Sequence, residues 1–333
     1  MGQHAPCPRL AARPAVKPSA AQGRAHAKII LVGEHAVVYG FPAIVAPLET
    51  LGAVARVEPC AGPVVLRSRY GLGGLDWAPE PVTGLRQLTA ATLRALGATP
   101  SNLALSVDAT VPAGVGLGSS AAVAVAIVRA LYRAHRRQLN MEGLVRLASI
   151  GERFAHGAPS GLDLWAASSS APLWFVRGRP AVRLRLSRPL ALVVANSGVP
   201  SETRRAVERV RHRLWTARRR TWADIERLGA LAREMREALG TGGIDRVGNL
   251  FVEAHRLLDA VGVGHPATSR LTACALQAGA LGAKTTGGGL GGSVVALARD
   301  VGHARRLREA LLAAGAAAAW TTRVGGVSDG EDS

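Results

Sequence analysis

The chain has 333 residues, 48% of them apolar and 19% charged, enough for one large or two medium domains with an ample core. This composition excludes an extended disordered chain, and no run approaches the ~18 consecutive apolar residues of a membrane-spanning helix. The formal charge of +18 invites a nucleic-acid reading, but all but three of the 41 basic residues are arginines spread along the chain. The densest cluster, Arg204 to Arg220, holds Glu208 and Trp215 and reads as a solvated helical surface, with a nucleic-acid contact as the alternative. Cys7, Cys60 and Cys274 are too few and too widely spaced for a disulfide framework or a CxxC metal knuckle, and they suit a reducing cytoplasm.

In chain order, residues 1–24 carry Pro8, Pro14 and Pro18, lack an apolar core of signal-peptide length, and read as a disordered extension. KIILV at 28–32 reads as a buried strand, and Ala43–Val45 opens another apolar segment after a turn at Gly40 and Pro42. The stretch 101–111 has strand character. A glycine loop follows, and Ser119 is placed to cap an apolar helix running to about residue 137. A helix is expected over 143–156, ended by Gly157 and Pro159, and two strands over 173–195 separated by Arg188 and Pro189. Helices follow at 202–219, 221–239, 244–262 and 266–279, then a glycine-rich loop, a strand at 293–298, a helix at 302–314 and a strand near 319–324. Helices alternating with short strands predict an α+β protein of two domains, 25–187 and 188–326, with a flexible tail at 327–333.

Four segments carry chemistry. In PAGVGLGSSAA, 112–122, glycines at every second position remove Cβ atoms where a chain wraps closely around phosphates. Ser119 and Ser120 then stand at a helix N-terminus, which favours an anion, and a serine hydroxyl there reaches Mg²⁺ beside the phosphates. No Gly-Lys-Ser/Thr follows at the required spacing, so this is not a Walker A loop. KTTGGGLGGSVVAL, 284–297, formally satisfies GxGxxG at Gly287, Gly289 and Gly292. Its glycines precede a strand rather than a helix, so it reads as a wall closing on a triphosphate or a substrate, or as a tight hairpin linker. Glu152 and, after the turn at Pro159 and Gly161, Asp163 supply two carboxylates. One suffices to accept or orient the proton of an alcohol and the other to hold Mg²⁺, with a structural or solvated role as the alternative for each. Lys28 is one of only three lysines. Its compact ammonium lowers the pKa of a substrate hydroxyl, or binds Asp163 and phosphate. Glu34 and His35, at the strand end, are placed to orient a polar substrate, whereas His156, His255 and His265 lack metal-ligand spacing and read as structural or surface residues.

At these residues the chain resembles the GHMP small-molecule kinases, and within them the branch that phosphorylates mevalonate. KIILVGEHAVVYG at 28–40, PAGVGLGSSAA at 112–122, GERFAHGAPSGLD at 151–163 and KTTGGGLGGS at 284–293 carry the likeness, supported by NSGVPSETRRAV at 196–207 and NLFVEAHRLLDAVGVGHP at 249–266. The resemblance implies a two-domain fold, the first domain like domain 2 of ribosomal protein S5 and the second ferredoxin-like. It implies ATP and Mg²⁺ as cofactors, a cytoplasmic homodimer, mevalonate as substrate, and no specific nucleic acid or membrane partner. It also implies Ser120 and Glu152 as Mg²⁺ ligands, Asp163 as base with Lys28 beside it, and Pro112, Ala113, Gly114, Val115, Gly116, Leu117, Gly118, Ser119 and Ser120 around the ATP phosphates. Lys28, Glu34, His35, Asp163, Thr286 and Gly287 are then expected around the substrate. Other GHMP kinases acting on a sugar, homoserine or phosphomevalonate are the main alternative, and a noncatalytic or nucleic-acid-binding protein the lesser one. Three departures from the family pattern stand out. Residues 25–27 are Ala-His-Ala instead of carrying a Pro-Gly pair, Gly288 replaces an alanine, and Leu290 replaces a glycine. His26 and Leu290 are expected to add bulk near the site.

Overall fold

The structure, a computed structural model, describes residues 18–69, 71–75, 82–156 and 161–325. Two sheets organise it. The first contains β1 (Ala21–Val32), β2 (Ala43–Pro63), β3 (Val65–Ser68), β4 (Gly71–Gly74), β5 (Ser101–Ala109), β6 (Leu173–Phe175) and β7 (Val182–Arg183), in the order β4-β3-β5-β2-β6-β7 with β1 paired to β2. The second is a four-stranded antiparallel sheet of β8 (Leu190–Asn196), β9 (Gly282–Thr286), β10 (Ser293–Ala298) and β11 (Ala318–Val324), in the order β11-β8-β10-β9. This is the two-domain α+β architecture expected from the sequence. We propose the division at 187/188, which falls between β7 and β8, as the domain boundary.

Nine α-helices among the described residues cover these sheets: α1 (Thr83–Leu96), α2 (Ser119–Ala134), α3 (Met141–His156), α4 (Leu162–Ala167), α5 (Thr203–Thr216), α6 (Arg218–Thr241), α7 (Ile244–Ala260), α8 (Pro266–Gln277) and α9 (Val301–Ala313). None is long and apolar enough to cross a membrane. Helix α2 is rich in alanine, and its small side chains let it lie directly on β1 and β2. A Cβ on Gly23 of β1 would collide with the Ala126 carbonyl of that helix. Strand β8 shows why the second sheet is apolar on both faces. Leu192 and Val194 join the main core with Ile29, Leu31, Phe251 and Leu258, while Val193 and Ala195 face a separate core with Leu271, Leu307 and Leu311.

Several expectations are corrected at the level of elements. Strand β1 begins at Ala21, inside the expected extension 1–24, because residues 21–26 pair with Val57–Gly52 of β2. Residues 1–17 and the tail from 326 onward lie outside the described residues, as do Cys7, Pro159 and the His156 side chain. The apolar segment at 43–45 is the start of a 21-residue strand. Helix α2 stops at Ala134 rather than 137, where His135 ends it and Arg136 takes a positive φ of 52°. Its N-cap is Gly118, not Ser119. The Ser119 hydroxyl instead donates to the Val111 carbonyl at 3.4 Å.

Candidate active site

The elements above surround a cavity of about 570 Å³. Every residue from Pro112 to Ser120 lines it, as do Lys28, Glu34, His35, Glu152, Asp163, Gly287 and Gly288. The loop before α2 is held against β1, where the Lys28 N–H donates to the Leu117 carbonyl at 3.0 Å. Gly114, Gly116 and Gly118 all have φ between 73° and 78°. At Gly118 even a methyl group would stand 2.8 Å from the Lys28 stem, so lysine and glycine fit each other there. The Val115 and Leu117 side chains turn into the core, leaving the loop backbone to face the cavity.

The Lys28 ammonium donates to the Gly116 carbonyl at 2.9 Å and pairs with Asp163 Oδ1 at 3.2 Å. Asp163 sits in the first turn of α4, a helix not foreseen in the sequence, and Gly161 at φ 87° turns the chain into it. In the same cavity the Ser120 hydroxyl donates to Glu152 Oε1. Glu152 is 2% exposed, because α3 packs against both α1 and α2. Burial, and then the negative charge of Asp163, push its carboxyl from the ordinary 4.5 up to about 7. The Ser120 hydrogen bond and Lys28 oppose that shift. Two oxygen donors beside an open cavity suit Mg²⁺, which takes one or two protein oxygens and completes its shell with phosphate and water. Among the described residues no cluster of three or more His, Cys, Asp or Glu side chains forms a larger cation site.

Glu34 and His35 lie in the turn after β1. His35 has φ 60°, and its ring Nε2 meets the Gly288 carbonyl at 2.8 Å. A carbonyl only accepts, so Nε2 carries the proton. Burial holds this imidazole below its ordinary pKa, and it is neutral. Glu34 is buried and ion-paired to Lys284 of β9, a residue that sequence reasoning had noted only as part of the glycine-rich motif. Ser201, just before α5, and Thr203, its first residue, also line the cavity and were missed as individual residues, although NSGVPSETRRAV contains them.

Three expectations fail here. Thr286 does not line the cavity. Its hydroxyl accepts from the Ile30 N–H at 2.8 Å and lies 3.1 Å from the Ile30 carbonyl, so it joins β9 to β1. Leu290 adds no bulk to the site. It is buried in the main core at φ 54°, its N–H donating to the Val263 carbonyl at 2.8 Å. His26 lies opposite Gly52 beside an irregularity in β1, away from the cavity lining. Of the second glycine run only Gly287 and Gly288 reach the cavity. Two of the three histidines read as structural or surface residues have structural roles: His265 caps α8 by accepting from the Ala267 N–H at 3.1 Å, and His255 Nδ1 accepts from the Thr285 N–H at 3.4 Å.

Comparison with known proteins agrees with this geometry. The GHMP kinases N terminal domain matches residues 85–170 and the GHMP kinases C terminal domain matches residues 235–317. The mevalonate kinase of Aeropyrum pernix is 33% identical over 292 residues, 84% of this chain and 89% of that protein. The chain belongs to the mevalonate kinase family of the GHMP kinases. Two solved members of the family superpose closely. The L. major mevalonate kinase in complex with R-mevalonate has a TM-score of 0.81 at 25% identity, covering 94% of this chain and 98% of that one. The mevalonate kinase of methicillin-resistant Staphylococcus aureus MRSA252 has a TM-score of 0.71 at 30% identity, covering 92% and 100%. As a GHMP kinase, the protein is an ATP-dependent small-molecule kinase.

Proposed function

We propose that the protein transfers the terminal phosphoryl group of ATP to the primary 5-hydroxyl of (R)-mevalonate, giving (R)-5-phosphomevalonate and ADP. The observation that carries the reading is the convergence of the Lys28–Asp163 pair, the Ser120–Glu152 pair and the Pro112–Ser120 backbone on one cavity. The substrate is proposed from the family and from the mevalonate bound to the L. major relative.

In this reading the Asp163 carboxylate accepts or orients the 5-hydroxyl proton. Lys28 is held between Asp163 and the Gly116 carbonyl, and its ammonium has three donors, so one remains for the attacking or transferring oxygen. The backbone of Gly114–Gly118 and the start of α2 bind the phosphates with N–H groups and the positive end of the helix. Ser120 and Glu152 are the Mg²⁺ ligands on the protein. The ion, when bound, neutralises charge on the phosphate oxygens. Glu34 accepts from a substrate hydroxyl, while His35, neutral and fixed by Gly288, shapes the acceptor end of the cavity.

The test is purified protein with ATP and Mg²⁺ against mevalonate, homoserine, galactose and phosphomevalonate, reading ADP and phosphorylated product. Mevalonate is expected to exceed each alternative by at least ~10-fold in kcat/KM, a difference of ~1.4 kcal/mol in transition-state binding. Equal or better efficiency with another alcohol overturns the substrate and leaves the kinase class standing.

A further inference from the structure

The cavity wall contains an ion pair outside the phosphate machinery. Lys284, on β9, is fully buried, and Glu34 is 1% exposed. The lysine ammonium has three donors and all are engaged: Glu34 Oε1, the Ile30 carbonyl at 3.3 Å and the Thr285 carbonyl at 2.6 Å. Glu34 has a second carboxylate oxygen, Oε2, which is buried without a hydrogen-bond partner among the described residues. Glu34 also lines the cavity. A buried carboxylate oxygen with no donor is costly to keep, so its presence beside an open cavity points to a donor that arrives with a ligand.

We propose that Lys284 is a positioning residue for the alcohol substrate: it fastens Glu34 through Oε1 and so presents Oε2 as an acceptor to a substrate hydroxyl. The inference rests on the reading of the cavity given above and adds to it a residue on the second sheet that touches no substrate. The groups around the carboxylate set its charge. Burial holds the Glu34 carboxyl above its ordinary pKa, and Lys284, first, and then the backbone hydrogen bond and Lys28 of β1 offset only part of that rise. His35 of the same turn is neutral, and His255 of α7, held below its ordinary pKa first by burial, also feels the charge of Lys284. Replacing the ammonium with a neutral side chain leaves burial unopposed apart from Lys28 and the Glu34 backbone hydrogen bond. Glu34 then takes up a proton and loses its charge. A protonated Glu34 keeps only a neutral carbonyl oxygen as acceptor, weaker than the carboxylate, so alcohol binding weakens and recovers as rising pH removes the proton.

The experiment compares Lys284→Met, Glu34→Gln and the double variant with the parent enzyme. KM for mevalonate, KM for ATP and kcat are measured between pH 6 and pH 9. Lys284→Met is expected to raise the mevalonate KM at least ~10-fold at pH 7, with the ATP KM within threefold of the parent and the mevalonate KM falling again toward pH 9. Glu34→Gln is expected to raise the mevalonate KM by a similar factor without that pH dependence. The double variant carries no buried charge at this place and is the fold-competent form should Lys284→Met fail to fold. Its mevalonate KM is expected within threefold of Glu34→Gln alone. An unchanged mevalonate KM in Glu34→Gln, a pH-independent KM in folded Lys284→Met, or parallel rises in both KM values overturn the proposal. A parent enzyme that phosphorylates no mevalonate overturns the functional reading instead, and the two failures are told apart by the parent alone.

Discussion

Glu152→Gln should abolish activity and at the same time stabilise the free protein, and only at high pH. The Glu152 carboxyl is 2% exposed and its pKa stands at about 7, against an ordinary 4.5. A carboxyl whose pKa rises on folding favours the folded state while protonated. That advantage is complete below the unfolded pKa and disappears as pH climbs through the folded value, so the window runs from about pH 4.5 to pH 7. The full displacement corresponds to about 3 kcal/mol. Glutamine keeps the shape and the oxygen that accepts from Ser120, yet it carries no charge at any pH. Urea unfolding without ATP or Mg²⁺ should therefore find Glu152→Gln near the parent at pH 4.5 and ~2–3 kcal/mol more stable at pH 8. Added Mg²⁺–ATP should narrow the gap by stabilising the parent more, since binding to the folded state adds to its stability. An increment that is the same at both pH values, or a less stable variant at pH 8, would refute the argument that burial and the Asp163 charge place the carboxyl under strain.

Two further outcomes follow from the same geometry. Asp163→Asn should lower the single-turnover transfer rate ~10²–10⁴-fold, with binding of ATP and mevalonate changed far less, because Ser120 and Glu152 are untouched; a rapid-quench rate within threefold of the parent removes Asp163 from the base role. Leu290→Gly should keep kcat/KM within threefold but cost about 2 kcal/mol of stability in urea. A buried leucine and the extra backbone freedom of glycine outweigh the ~1 kcal/mol recovered at the positive φ. Loss of activity in a folded Leu290→Gly protein would contradict this placement.

The residues legible in the sequence are those whose chemistry depends on a short local pattern. Lys28, Asp163, Ser120, Glu152 and the Pro112–Ser120 loop all meet at one cavity, because each belongs to a segment in which glycine or a helix start limits where the backbone goes. What stayed hidden depends on contacts between distant segments. Lys284 reads as an ordinary lysine until β9 comes beside Glu34, 250 residues earlier. Thr286 had the right motif but the wrong direction, since its hydroxyl is taken by Ile30 of β1. Helix α1 and the β3–β4 hairpin went unread, although Leu85, Leu88, Leu93 and Leu96 stand at helical spacing before Gly97. The length of β2 was likewise invisible, because Pro47, Gly52 and Pro59 punctuate a strand that its partners β1 and β5 hold together.

The two glycine-rich segments show how one composition serves opposite demands. At Gly114 nothing stands within 4 Å of where a Cβ would be, so the missing side chain faces open cavity and leaves room for a ligand. In the second run the space is already occupied by protein. A Cβ on Gly287 would lie 2.7 Å from the Gly116 carbonyl oxygen and one on Gly289 2.5 Å from that of Val263, while Gly288 would strike Thr203 and Gly291 the Pro200 carbonyl. These glycines let backbone meet backbone. The Gly116 contact brings the cavity-lining loop against the end of β9, and the Ser293 hydroxyl secures the same seam by donating to the Val115 carbonyl at 2.9 Å. The family's alanine would not fit at residue 288 in this chain without moving Thr203, which accounts for glycine there. Leu290 is the exception that the packing permits, because its side chain meets the main core and not another backbone. The run at 287–292 is therefore less a wall around a ligand than a tight joint between the second sheet and the loop before α2, and its GxGxxG spacing records close contact within the protein.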